Sequence, residues 1–454
     1  MAHPTEKYFN DTVSSIAEAV KFDTSLKPAE AGCPFGKETA DCLHYFLSLA
    51  KSMGFETHNY DNYAGEVIFG EGKPFAILAH LDVVPAGEGW SHPPFGGEID
   101  DELSEGGVAG MKIWGRGTMD DKGPAIATLY AMKALKDEGF TPRRKIKFIV
   151  GCNEESGWKC LEHYKKAAEL PEEGFSPDAS FPAIYAEKGI IHCKTYFPLD
   201  KNSFVSLQAG SAANMVCAKA SAVLTEKSAG YAQAYVKSFV NQPAPHHAEN
   251  GATFQYDETT HTITFFGKSA HGSTPEKGVN ALSALLSFAS AFDSGCKRAC
   301  ELLCADENNL RAMRDETGVL TMTPDVAELK NGVLEITTDI RFPATHTQEE
   351  VRETFVKSGV RFDFVNVQNP LYNNPEGKLI STLMRVYNAH TGRDEKAIAI
   401  GGGTYARALK CGCGFGPELE EEESTIHQPN EYVTFERIRM MCEIYYDAIK
   451  ELTK

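Results

Sequence analysis

Two apolar runs in the first third of the chain, Phe75–Leu78 and Phe148–Val150, stop abruptly in charge: the first at His80-Leu81-Asp82, the second at Glu154-Glu155. Short apolar runs of this kind read as buried strands. A strand that delivers His-x-Asp or paired carboxylates to the edge of a core carries a heavy desolvation cost unless a cation neutralises them. Two further stretches end in ligand-type residues, Asp120-Asp121-Lys122-Gly123 and the His427 segment. Together they point to metal-dependent hydrolytic chemistry.

The surroundings of these runs define a fold class. Residues 5–20 and 37–53 read as helices, from apolar spacings of three and four. Glu66–Gly70 and Phe75–Leu78 read as strands joined through Gly70–Lys73, a hairpin-like turn. Asp121–Gly139 and Ser156–Ala168 read as helices flanking a strand at Lys145–Cys152. Such alternation predicts an α/β domain with a mixed, largely parallel sheet flanked by helices. Ligand crevices in these sheets lie beyond the carboxyl ends of the strands, where His80, Asp82, Glu154 and Glu155 fall.

The texture changes near Glu187-Lys188-Gly189. Strands at Gly189–Phe197, His261–Gly267 and Val333–Phe342 then alternate with helices at Ser228–Phe239, Gly278–Phe292 and Gln348–Ser358. This predicts an α+β domain, 189–374, inserted into a catalytic domain built from 1–188 and 375–454. The last segment contributes a helix at Leu379–Thr391, a strand at Ala397–Ile400 running into Gly401-Gly402-Gly403, and a helix at Phe435–Leu452.

At 454 residues and a formal charge of −18, the chain would be repelled by nucleic acid and by anionic membrane, so neither is expected as a partner. No apolar stretch reaches the roughly 20 residues of a membrane span. No secretory signal is visible at the start, and the 12 cysteines mark no disulfide framework, so a cytoplasmic location is expected.

Each motif has a plainer alternative. His80 and Asp82, one residue apart in extended chain, share a face; one can bind metal while the other bonds the second ring nitrogen, or the two are a buried His–acid pair. Asp120-Asp121 before a helix could simply cap it. Glu154-Glu155 would repel unless a cation intervenes, and can divide into a metal ligand and a proton carrier, or merely open a helix. Asp178 and His427 are weak signals alone. Cys296, Cys300 and Cys304 read as a small apolar stripe, His246-His247 as a surface loop, and the acidic stretch Glu418–Glu423 as a solvated loop.

Taken in order, Phe75–Pro85, Trp114–Pro124 and Gly151–Trp158 resemble the metal-binding motifs of the di-zinc aminoacylase/carboxypeptidase-type metallopeptidases. Pro177–Gly189, Gly267–Asn280, Gly401–Arg407 and His427–Glu431 are similar to the bacterial PepV-type dipeptidases within that family. The resemblance spans nearly the whole chain. It implies two divalent ions, zinc foremost with manganese or cobalt as substitutes. His80 and Asp178 would hold one ion, Glu155 and His427 the other, with Asp120 bridging and its bond to Asp121 cis. Asp82 would orient His80, and Glu154 would be the general base. His271 would stabilise the oxyanion; Arg341, Asn214, Gly402, Gly403 and Thr404 would contact substrate. The implied substrate is an unblocked dipeptide. In smaller relatives the lid pairs two subunits; here the insert is long enough to hold two lid halves, so a monomer is expected. An N-acyl-amino-acid deacylase with the same ions, or a non-catalytic binding protein on a hydrolase scaffold, are the competing readings.

Overall fold

Both apolar runs lie in one five-stranded sheet. Its strands are β1 (Glu56–Tyr60), β2 (Ala64–Phe69), β3 (Lys73–His80), β4 (Arg144–Gly151) and β5 (Gly174–Phe175), in the order β1-β2-β4-β3-β5. Neighbours are antiparallel from β1 through β2 to β4 and parallel from β4 through β3 to β5. The sheet is therefore mixed in equal parts, where alternation alone predicts a largely parallel one. The turn at Gly70–Lys73 makes no hairpin, because β4 lies between β2 and β3. Gly70 and Gly72 have positive φ, 82° and 102°, and a Cβ at Gly72 would stand 2.5 Å from the Arg143 carbonyl oxygen. The turn crosses over the start of β4, a path that only glycine fits.

This computed structural model describes residues 2–100, 110–238, 248, 250–419 and 421–454. They divide into two units: Met1–Tyr185, Tyr372–Ile398 and Thr404–Lys454 in the first, Ala186–Leu371 with Ala399–Gly403 in the second. In the first unit the chain opens with a 3-10 turn, Pro4–Tyr8, before α1 (Phe9–Val20) and α2 (Lys37–Ser52). Helix α3 (Lys122–Asp137) buries nearly all its residues, Lys122 and Gly123 included. Helix α4 begins only at Lys159 and ends at Ala167, so Glu154-Glu155 belong to a loop and do not open a helix.

The second unit is built on an eight-stranded sheet in which every pair is antiparallel. In chain order its strands are β6 (Gly189–Pro198), β7 (Phe204–Ala209), β8 (Lys219–Leu224), β9 (Thr253–Asp257), β10 (Thr262–Phe266), β11 (Thr321–Lys330), β12 (Val333–Phe342) and β13 (Arg361–Gln368). They lie side by side as β9-β10-β8-β7-β11-β12-β6-β13. Alternating burial along β6 and β12 leaves one face for a core with α5 (Ala281–Ala289) and α6 (Gln348–Ser358), which contains Ile191, Phe265, Leu285, Ile336 and Phe355. Cys296 is in that core, while Cys300–Cys304 form a π turn. His246-His247 lie outside the described residues.

The chain returns to the first unit through α7 (Lys378–Thr391) and ends in α8 (Phe435–Thr453), which packs on α3 and α7. Between them, the chain from Cys411 runs parallel to the segment after β5: Ser176 N–H donates to Cys413 O at 2.8 Å and Ala179 N–H to Gly416 O at 2.7 Å. The acidic stretch is pinned in part, since Glu421 pairs with Arg393 and Glu422 with Arg437 at 2.6 Å. Among the described residues no helix is long and apolar enough to cross a membrane.

Candidate active site

Three adjacent parallel strand ends supply the cluster. His80 closes β3, Glu154 and Glu155 follow β4, and Asp178 follows β5, with His80 in register with Gly151. Asp120 comes from the loop before α3, and its peptide bond to Asp121 is cis. His427 sits at φ 62°, in the left-handed region, on the returning segment. His80, Asp120 and Asp178 form one group of potential ligands; Asp120, Glu155 and His427 form a second that shares Asp120.

Asp120 divides its carboxylate between the two. Oδ1 lies 3.0 Å from His80 Nε2, and Oδ2 lies 2.9 Å from His427 Nε2. His80 Nε2 is also 3.5 Å from Asp178 Oδ2, and His427 Nε2 is 3.1 Å from Glu155 Oε1.

The tautomer of His80 follows from its other nitrogen. Nδ1 is 2.9 Å from the Asp82 carbonyl oxygen, which can only accept, so Nδ1 carries hydrogen, and in its neutral, cation-binding form the ring turns its Nε2 lone pair inward. There it meets carboxylate oxygens. His80 Nε2 and Asp120 Oδ1 are both buried and neither has a hydrogen-bond partner. Lone pairs converging at these distances fit a cation between them, and imidazole with carboxylate suits zinc, manganese or cobalt.

Asp82 meets the His80 ring through its main chain. Its carboxylate stands 3.6 Å from His80 Nδ1 and is spent elsewhere: Oδ1 accepts from Glu154 N–H at 2.9 Å and Oδ2 from Glu155 N–H at 3.1 Å. The residue therefore orients His80 through its main chain and fixes the Glu154–Glu155 loop through its side chain. Asp121, at the N-cap position of α3, makes no side-chain cap; its Oδ2 accepts from His80 N–H at 3.0 Å.

Glu154 lies in neither ligand group. Its Oε1 accepts from Trp158 Nε1–H at 2.9 Å. Burial, with Asp178, Glu155 and Asp82 adding to it, pushes the Glu154 carboxyl well above the usual range, as a proton carrier requires. Burial first and Asp120 second lift Glu155 to about 7. At His427 burial opposes the proton, but Asp120 and Glu155 outweigh it and raise the ring to about 10. Burial likewise opposes charge on His80, where Asp178, Asp120 and Asp82 prevail. The cluster thus retains protons that cation binding would release.

An outer layer is not legible in the sequence. Arg116 Nη1 is 2.6 Å from Glu431 Oε2, both side chains buried. Glu431 Oε1 accepts from Gly117 N–H and Met119 N–H, each at 3.0 Å, and so shapes the turn that presents Asp120. Trp158 and Glu431 both fall inside the motifs singled out above, but nothing in their spacing discloses these bonds.

The second unit gathers several of the other expected residues. Met215 bridges to His271, and Asn214 O accepts from Gly272 N–H at 2.7 Å. His271 Nδ1 accepts from Ser273 N–H at 3.2 Å, which puts the neutral ring's hydrogen on Nε2. Arg341 spends Nε and Nη2 on Asp339, each at 2.9 Å, and Nη1 donates to Gly401 O at 3.3 Å. A Cβ on Gly272 would strike Asp339 Oδ2 at 1.9 Å, so these loops close together only with glycine there. Gly402 and Gly403 belong to this unit. Thr404 belongs to the first, where its hydroxyl caps the 3-10 turn Tyr405–Ala408.

Residues 76–451 match the family model for peptidase family M20/M25/M40. A beta-Ala-Xaa dipeptidase of Lactobacillus delbrueckii subsp. lactis is 32% identical over 463 residues, 97% of this chain and 96% of that protein. The dipeptidase Dug1p of Saccharomyces cerevisiae has the same fold, with TM-score 0.57 at 14% identity, over 99% of this chain and 97% of the other. Human carnosine dipeptidase 1 has TM-score 0.55 at 14% identity, over 99% and 98%.

Proposed function

The chain belongs to peptidase family M20/M25/M40, and on that premise we propose that it is a metal-dependent dipeptidase acting on unblocked dipeptides. The observation that carries this reading is the division of Asp120 between two imidazoles, Oδ1 toward His80 and Oδ2 toward His427. His80, Asp178 and Asp120 would hold one divalent ion; Glu155, His427 and Asp120 would hold the other. Bound there, the pair would polarise the scissile carbonyl and acidify a water.

The rest of the chemistry belongs to side chains. Glu154 takes the proton from the attacking water and returns it to the leaving amine, while Trp158 Nε1–H steadies its carboxylate. Asp82 holds the backbone of Glu154 and Glu155 so that both keep their aim. The role assigned to His271 is donation from Nε2–H to the developing oxyanion. Arg341, with its Nε edge taken by Asp339, offers its remaining Nη hydrogens to the substrate carboxylate. Asn214, Gly402, Gly403 and Thr404 are assigned to substrate contact, and the inserted unit to the part of a lid. The eight-stranded sheet of that unit supports a monomer, since one chain supplies the area that two shorter lids would pair to form.

The test strips the protein with chelator, restores zinc, manganese or cobalt in turn, and assays dipeptides, tripeptides and N-acetylated amino acids side by side. Turnover of free dipeptides above the other two classes is expected. Preference for N-acetylated amino acids would make the protein a deacylase, and absence of all turnover with metal bound would make it a binding protein.

A further inference from the structure

A separate group of ligand-type side chains lies in the first unit, on elements that carry no part of the site above. His3 precedes the opening 3-10 turn, His390 lies in the last turn of α7, and Asp447 lies on α8. One potential ligand atom from each falls within 4.8 Å of the others. His390 Nε2 is 2.8 Å from Asp447 Oδ2, and His3 Nε2 is 3.9 Å from the same oxygen. A tetrahedral ion bonded at about 2.0–2.2 Å separates its ligand atoms by about 3.3–3.6 Å, a range these two distances bracket.

Metal-ligating histidines engage their other nitrogen with an oxygen acceptor, which fixes ring and tautomer. His390 Nδ1 faces Glu443 Oε2 at 3.7 Å, one helical turn before Asp447 on α8. His3 Nδ1 is 2.8 Å from Thr5 Oγ1 and accepts from Thr5 N–H at 3.4 Å, so the neutral ring carries its hydrogen on Nε2 and ion binding there would displace it. The rings are also held: His3 packs edge-on to His390, centroids 5.9 Å apart, and to Tyr446 at 4.9 Å. A plain His390–Asp447 hydrogen bond would account for the 2.8 Å contact. It leaves His3 Nε2 at 3.9 Å from the same oxygen, beyond hydrogen-bond reach, with all three ligand-type atoms within 4.8 Å of one another.

We propose that His3, His390 and Asp447 form a peripheral site for a divalent transition ion of the zinc class. Two imidazoles and one carboxylate suit zinc, copper or nickel; calcium and magnesium would need more oxygen. The side chains keep 19%, 18% and 39% of their surface, which leaves an entry path and room for water as a fourth ligand. A bound ion would clip the segment before α1 to the last helix.

The experiment uses untagged, full-length, chelator-stripped protein, dialysed to equilibrium against zinc and counted by inductively coupled plasma mass spectrometry. Wild type is expected to hold one equivalent more than His390→Ala. His3→Ala, at the periphery of the unit, should show the same deficit and guards against a folding defect in the helix variant. Because the readout is a difference between variants, it is independent of how many ions the Asp120 cluster takes. A wild-type zinc count in either variant overturns the site.

Discussion

Arg116 and Glu431 form a buried ion pair, Nη1 to Oε2 at 2.6 Å, with Arg116 four residues before Asp120 in the chain. The pair joins the loop before α3 to the segment carrying His427, and the Asp120 carboxylate meets the same segment at His427 itself. Removing one partner leaves the other as a buried, uncompensated charge. Arg116→Met is expected to destabilise the protein by about 3–5 kcal/mol. Urea unfolding followed by tryptophan fluorescence measures this. A loss under about 1 kcal/mol, the scale of exposed ion pairs, would mean the pair is solvated in solution.

Glu154 stands outside both ligand groups, so its removal should separate chemistry from metal binding. Glu154→Ala is expected to lower kcat by about 10²–10⁴-fold while bound metal stays at the wild-type level. Steady-state kinetics and metal counting on one sample check both halves.

Asp120→Ala removes the one carboxylate that both groups share. Metal content should fall for the whole cluster, whereas His427→Ala should spare the His80 side. Isothermal titration with zinc distinguishes the two; equal losses in both variants would contradict the shared role of Asp120.

His271 carries its hydrogen on Nε2, as an oxyanion donor must. His271→Ala is expected to reduce kcat by about 10²–10³-fold with zinc affinity unchanged. A change confined to KM would assign the residue to ground-state binding instead.

Asp325, far from the ligand groups in sequence and buried on β11, has an unpartnered Oδ2. Burial first, and Asp339 after it, push its carboxyl up to about 9. The folded chain therefore holds this proton after the unfolded chain has released it, and stability falls as pH rises between about 4 and about 9. Asp325→Asn should raise Tm at pH 8 relative to wild type, and the gap should close near pH 4. Differential scanning fluorimetry across that range gives the answer.

What the sequence discloses is what burial on both faces imposes. Phe75–Leu78 and Phe148–Val150 are apolar throughout because β3 and β4 lie in the sheet interior, and their ends are legible for the same reason. Strands such as β9 and β13 have one exposed side and mixed composition, and leave no such trace. The turn at Gly70–Lys73 misleads because glycines mark a crossing as readily as a hairpin. In the site, side chains that gather are readable from their type. The bonds of Asp82 are not, since its carbonyl and two main-chain amides carry them, and no residue pattern records which amide a carboxylate will meet.

Strand pairing also makes the centre intolerant of sliding. β4, β3 and β5 hang Glu155, His80 and Asp178 from neighbouring ends about 4.8 Å apart. Shifting β3 by a single residue would turn His80 to the opposite face of the sheet. Loops elsewhere can lengthen or change, but the length of these three strands cannot drift by one without dismantling the ligand set.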